Sequence, residues 1–252
     1  MTVIAKELIA SDGASRSNGA AGHPPNISGA QRAPEQVETF LDLAIQEMAS
    51  LRASIAIDDI ERATKLILDS ERRGGRAHVT GVGKSEHVAR YFASLLSSTG
   101  TPAYFLHATE CVHGSAGQVC KGDIAIVISN SGATPEILCA LNTLRSLGVD
   151  IIGISSDQGS PLARNADLLL YAGTSREDGL LNLAPRASVL AKMYVLCALS
   201  VSLEAHKGLT REQYARWHPA GALGISALAT ELSDIPAVPD HCPGERRRTS
   251  GE

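Results

Sequence analysis

The stretch Asp123-Ile-Ala-Ile-Val-Ile-Ser-Asn-Ser-Gly-Ala-Thr-Pro-Glu136 decides the fold. Its first half, Ile124 to Ile128, is apolar without alternation. Such a run marks a strand covered on both faces, as in the centre of a parallel sheet flanked by helices. The second half turns abruptly to small polar residues: Ser129, Asn130, Ser131, Gly132 and Thr134 follow the strand, and Pro135 with Glu136 suits the first turn of a helix. A loop of that make-up holds an anion well. N–H groups at a helix start carry partial positive charge, hydroxyls add hydrogen bonds without bulk, and glycine lets the main chain approach a phosphate. The same residues also build ordinary turns, so the loop alone does not choose between the two.

A second strand, loop and helix precede it. Arg76 to Thr80 reads as a strand, Gly81-Val82-Gly83-Lys84-Ser85 as a tight loop, and the residues through Ser98 as a helix. The first glycine lies too close to the lysine for a nucleotide-binding P-loop. In an open parallel sheet the loops after the strands share one edge, where ligands bind at the switch in strand order. Ser85, Ser129, Ser131 and Thr134 are therefore expected to converge on one phosphate. Ala103 to Leu106, Ile151 to Ser155 and Leu168 to Tyr171 supply further strands, with helices at Ile137 to Leu147, Ala187 to His206 and Arg211 to Arg216 and a turn at Ser160-Pro161. The predicted fold is α/β, a three-layer αβα sandwich around a five-stranded parallel sheet, doubly wound in the flavodoxin manner.

Before the sheet, helical periodicity runs from Pro34-Glu35 to Leu51, and again from Ile57 to Leu68, where Asp58 or Asp59 is the expected cap. Their apolar faces suit partner subunits. Residues 1–34, rich in Ser, Gly, Ala, Asn and Pro, read as a disordered extension; 35–232 form the domain; 233–252 read as a disordered tail.

Composition narrows the function. The chain of 252 residues is 44% hydrophobic and 4% aromatic, the balance of an aliphatic α/β core. A net charge of -4, with Arg246 to Arg248 as the only basic run, argues against nucleic-acid binding. The five cysteines include no close pair of the kind that builds a zinc or redox motif, which fits a reduced, cytoplasmic protein. No stretch reads as a membrane span of about 20 apolar residues or as a signal segment.

Several blocks together resemble the sugar isomerase (SIS) domain of D-arabinose 5-phosphate isomerases. They are Gly81-Val-Gly-Lys-Ser-Glu-His87, Ser98-Thr-Gly-Thr-Pro102, Glu110-Cys-Val-His-Gly114, Ser129-Asn-Ser-Gly132, Leu183-Ala-Pro185 and His218-Pro-Ala-Gly-Ala-Leu-Gly224, in order across residues 36–226. The resemblance implies that an aldose phosphate and a ketose phosphate interconvert through an enediol, without a cofactor. It carries the catalytic roles to Lys84, Glu136, Glu177 and His218. It carries substrate contacts to Gly83, Ser85, Gly100, Thr101, His113, Ser129, Asn130, Ser131, Gly132, Thr134 and Ser188. His107 matches a histidine seen to take zinc in the family, although the reaction requires no metal. A homotetramer is implied, with the His218 block reaching a neighbouring subunit's site.

The chemistry gives those residue types a reason. Moving a proton between adjacent carbons takes a carboxylate base and an electrophile for the developing enediolate oxygen. Glu177, away from the phosphate loop, is the expected base, and Lys84 the expected electrophile. Without the resemblance, a glutamate at a helix start is more often solvated, and Lys84 would simply neutralise phosphate. Three positions depart from the family pattern. Arg186-Ala187-Ser188 replaces a Thr/Ser run, so Arg186 is a candidate for a second anionic group; Glu86 stands where glycine is usual; and the histidine block reads His-Gly-Ser. The chain stops soon after Gly224, without the paired CBS modules of many relatives, and reads as a stand-alone catalytic domain. A non-catalytic sugar-phosphate sensor and a related isomerase or lyase on the same fold remain as alternatives.

Overall fold

The computed structural model describes residues 33–228. Two helices lead in, α1 (Ala33–Ser54) and α2 (Ile57–Arg72). The sheet follows, with β1 (Ala77–Gly81), β2 (Ala103–Phe105), β3 (Ile124–Ile128), β4 (Asp150–Ser155) and β5 (Leu168–Tyr171). Between strands run α3 (Lys84–Ser98), α4 (Ala108–Cys111) with a 3-10 turn at Ser115–Gln118, α5 (Pro135–Ser146) and α6 (Pro161–Asn165); α7 (Ala187–Lys207), α8 (Arg211–Trp217) and α9 (Ala222–Leu228) close the described chain.

All strand pairs are parallel, in the order β2-β1-β3-β4-β5. This is the doubly wound order, and the chain reverses direction across the sheet between β1 and β3. Every residue of β3 is buried. Ile124, Ile126 and Ile128 pack into a core with α2, α3 and α7, while Ala125 and Val127 pack into a second core with α5 and α6. The unbroken apolar run is thus a central strand with a helical layer on each face, because alternate side chains point to opposite faces.

Several expectations need correction. Neither Asp58 nor Asp59 caps α2; Ala56 holds the cap position, and both aspartates lie in the first turn, where they face the positive end of the helix dipole. The helix runs four residues further than periodicity indicated, to Arg72. β1 is displaced by one residue, to Ala77–Gly81, and β2 stops at Phe105. Ala33 and Pro34 already belong to α1. The rest of the N-terminal extension, residues 229–232 of the expected domain, and the tail at 233–252 lie outside the described residues.

Among the described residues one helix, α7, does reach the length and apolarity of a membrane span. In the fold, its Ala191, Val195, Leu196, Leu199 and Leu203 face the core against the sheet.

Candidate active site

A cavity of about 330 Å3 opens at the carboxyl ends of β1 and β3, at the switch in strand order. Three segments build it: the turn into α3 with Lys84 and Ser85, the loop into α5 with Ser129, Asn130, Ser131 and Thr134, and the approach to α7 with Glu177 and Ser188. The helices α3 and α5 both begin at its rim, so their first-turn N–H groups and dipoles favour an anion there.

The polar loop is held in shape by its own hydrogen bonds. Ser129 Oγ lies 3.3 Å from Thr134 Oγ1 and accepts from the Gly132 N–H at 3.2 Å. The Asn130 carbonyl accepts from the Ser156 N–H and from the hydroxyls of Ser155 and Ser156. Gly132 has φ +60°, and a Cβ there would collide with the Ser160 side chain. Both the left-handed backbone and the close approach demand glycine.

Glu177 is carried back to the cavity by the segment after β5. Its Oε2 accepts the main-chain N–H groups of Arg186 at 2.7 Å and Ser188 at 3.1 Å, at the start of α7. Asn182 Oδ1 accepts the N–H groups of Glu177 and Asp178, and both Asp178 and Asn182 adopt positive φ. Aspartate and asparagine tolerate that conformation better than other side chains. The carboxylate is therefore oriented by backbone groups and anchored on a short, strained turn.

Beside it lies Lys192, which the sequence reading did not single out. Its side chain is 1% exposed, and its Nζ donates to Asn130 Oδ1 at 2.7 Å and to the Ser188 carbonyl at 2.8 Å. Burial pushes its pKa down from 10.5 to about 8, while the nearby Glu177 carboxylate acts in the opposite direction. The signal was present in the pattern. Ser188, Ala191, Lys192, Val195, Leu196 and Leu199 form one helical stripe, and a lysine in such a stripe is out of place unless it has a task.

The remaining expected residues divide into three groups. Gly83, Gly132 and Glu136 belong to the same loops and helix starts without lining the cavity; Gly83 caps α3 and Glu136 sits exposed in the first turn of α5. His107 and His113 follow β2 on the same sheet edge. His107 Nδ1 is engaged by the Thr109 hydroxyl and the Glu110 N–H at the start of α4, and His113 is exposed. Among the described residues no three His, Cys, Asp or Glu side chains cluster as metal ligands.

Gly100, Thr101 and His218 lie elsewhere. The first two follow α3, whose 15 residues separate them from the cavity by about 22 Å. Lys207 Nζ donates to the Gly100 carbonyl and the Thr101 hydroxyl, Trp217 packs on Gly100, and His218 ends α8 with its ring stacked on Tyr214. One chain alone does not bring them to Glu177.

The SIS domain model matches residues 72–202, just over half of the chain and every strand of the sheet. The chain belongs to the SIS domain family. It is 39% identical over 208 residues to the arabinose 5-phosphate isomerase KdsD of Francisella tularensis, covering 80% of this chain and 63% of the relative. KdsD of Pseudomonas aeruginosa is 39% identical over 194 residues, covering 77% and 58%. The chain thus spans about three fifths of the length of these relatives. A protein of Escherichia coli CFT073, solved in complex with A5P, superposes with a TM-score of 0.69 at 31% identity, covering 77% of this chain and all of that one.

Two departures from the SIS pattern have local explanations. Glu86 pairs with Arg90 one turn later on α3, at 2.9 Å. Arg186 donates to the Asp178 carbonyl at 3.3 Å and stays exposed outside the cavity lining, so it braces the Glu177 turn.

Proposed function

We propose that this chain is an aldose–ketose isomerase of sugar phosphates acting through an enediol, with D-arabinose 5-phosphate and D-ribulose 5-phosphate as its pair. The observation that carries this reading is the meeting, in one cavity, of an anion-suited loop and an oriented carboxylate. The phosphate sits among Ser85, Ser129, Ser131 and Thr134, where two helix N-termini and hydroxyls receive it. Glu177 takes the proton from the carbon beside the carbonyl and returns it to the neighbouring carbon; Lys84 and Glu136 act at the rim, towards the phosphate end. The names of the two curated relatives and the A5P bound to the structural relative support this choice of substrate. The test is incubation with a panel of aldose and ketose phosphates in deuterated water. Isomerisation with solvent deuterium entering the carbon is expected, and its absence with every substrate would end the isomerase reading.

We further infer a cytoplasmic homotetramer. Cys111, Cys120, Cys139 and Cys197 are free thiols among the described residues, as suits a reducing compartment. Val37, Leu41 and Ile45 leave an apolar stripe exposed on α1 at four-residue spacing. Gly100, Thr101 and His218 gather at the sheet edge opposite the cavity, as expected if they complete the site of a neighbouring copy. His218 then moves protons between the sugar oxygens. Light scattering that finds monomers at micromolar concentration would refute this assembly. The net charge of -4 supports the expectation that nucleic acid is not a partner.

A further inference from the structure

Lys192 stands apart from the groups already given roles. A helical side chain leans toward the helix N-terminus, so the ammonium reaches the level of Ser188, one turn back, and enters the cavity from the α7 wall. Two of its three N–H donors are used, both on neutral acceptors. Its charge is therefore not neutralised by a direct ion pair. The titratable side chains lining the same cavity are Lys84, Glu177 and Lys192 itself. Lys84 is exposed at the rim, where water screens it, whereas Lys192 is enclosed and fixed. A charge held in a dry site by oriented partners stabilises a developing anion far better than a solvated one.

We propose that Lys192 is a further catalytic residue of the isomerisation, its ammonium contacting the substrate's carbonyl oxygen and stabilising the negative charge that forms there. This rests on the isomerase reading above and replaces Lys84 as the electrophile, leaving Lys84 to the phosphate. Glu177 removes the proton from the carbon next to the carbonyl, and the C–H electron pair becomes the carbon–carbon double bond. The carbonyl π pair moves onto oxygen, where Lys192 donates a hydrogen bond to it. The proton held by Glu177 then adds to the former carbonyl carbon, and the hydroxyl proton passes from one oxygen to the other. Nothing is oxidised or reduced overall, and no group is lost. The burial that lowers the pKa of Lys192 to about 8 fits the task, since its charged form is poorly compensated until an anion arrives.

The test uses the full chain with D-arabinose 5-phosphate, comparing wild type with Lys192→Met and Lys192→Arg. In Lys192→Met, kcat and deuterium exchange at the substrate carbon should fall by about 10²- to 10³-fold, as for loss of one preorganised donor. Inhibition by inorganic phosphate should stay within about threefold of wild type, because ground-state anion binding is separate from transition-state stabilisation. The wild-type kcat/KM should decline as pH rises through about 8. In Lys192→Arg that alkaline limb should move upward with the residual activity, because a guanidinium keeps its charge. A Lys192→Met enzyme within about threefold of wild-type kcat would overturn the proposal while leaving the isomerase reading intact. So would phosphate inhibition weakened in step with turnover, which would make Lys192 a phosphate ligand. A wild type inactive on every sugar phosphate would overturn both.

Discussion

Two buried charges, one at each edge of the sheet, are treated in opposite ways. At the edge where the strands begin, Asp123 is 3% exposed and accepts three hydrogen bonds, from the N–H groups of Arg76 and Cys120 and from His78 Nε2, each at 2.8 Å. Burial opposes ionisation, but those donors outweigh it and hold the carboxyl below its ordinary pKa. At the other edge Lys192 is equally enclosed, yet its two partners are neutral and burial prevails. A charge saturated with partners ties β1 to β3 and is there for stability. A charge left short of compensation is a cost to the fold, tolerable where a ligand supplies what is missing.

The two edges should respond to substitution in different ways, one in turnover and the other in stability. The largest expected effect belongs to Glu177→Gln, which should retain sugar-phosphate binding and the fold but lose carbon-bound deuterium exchange by about 10²- to 10⁴-fold, as for removal of a positioned base. Exchange that survives in this variant and vanishes in Glu136→Gln would swap the two roles. Asp123→Ala should do the reverse. Leaving His78 and two backbone donors without their acceptor is expected to cost about 3 kcal/mol in urea unfolding, with kcat unchanged. A fall in kcat without loss of stability would put a functional group at the wrong edge.

The acid limb sharpens the same point. Because the native pKa of Asp123 is lowered, its contribution is present above the ordinary value of 3.8 and is lost as pH falls through the lower native value. For Lys192 the slope has the same sign, because its native pKa is also lowered, but here the lowering comes from burial, which penalises the charged form. Between about 8 and 10.5 the unfolded chain holds the proton that the folded chain has released, so this group makes stability rise with pH. The smallest expected effect is that of Ser131→Ala, whose side chain lines the cavity and also receives the Ala133 N–H at 3.3 Å. Calorimetric titration should show sugar-phosphate binding weakened by about 1–3 kcal/mol with the fold intact, and unchanged affinity would reduce the loop to a turn.

The sequence by itself determined what depends on near neighbours along the chain. Ile124 to Ile128 read as a doubly covered strand because five consecutive apolar side chains can be buried together only between two layers. Ser129 to Thr134 read as an anion loop because its residue types and the helix start behind it are local features. Asp58 and Asp59 misled as caps because residue type marks a helix start only to within a residue or two, and the packing of Ile60, Ala63 and Ile67 sets where α2 begins. Tertiary structure alone decided the rest. It brought Glu177 beside Ser129 from 48 residues away, by folding the segment after β5 over the sheet edge. It left Gly100, Thr101 and His218 at the far end of α3, although their blocks are as recognisable as the loop. It also buried Lys192. On an isolated helix that long side chain would reach solvent, and only the packing of α7 into the core and the wall supplied by Asn130 hold its charge inside.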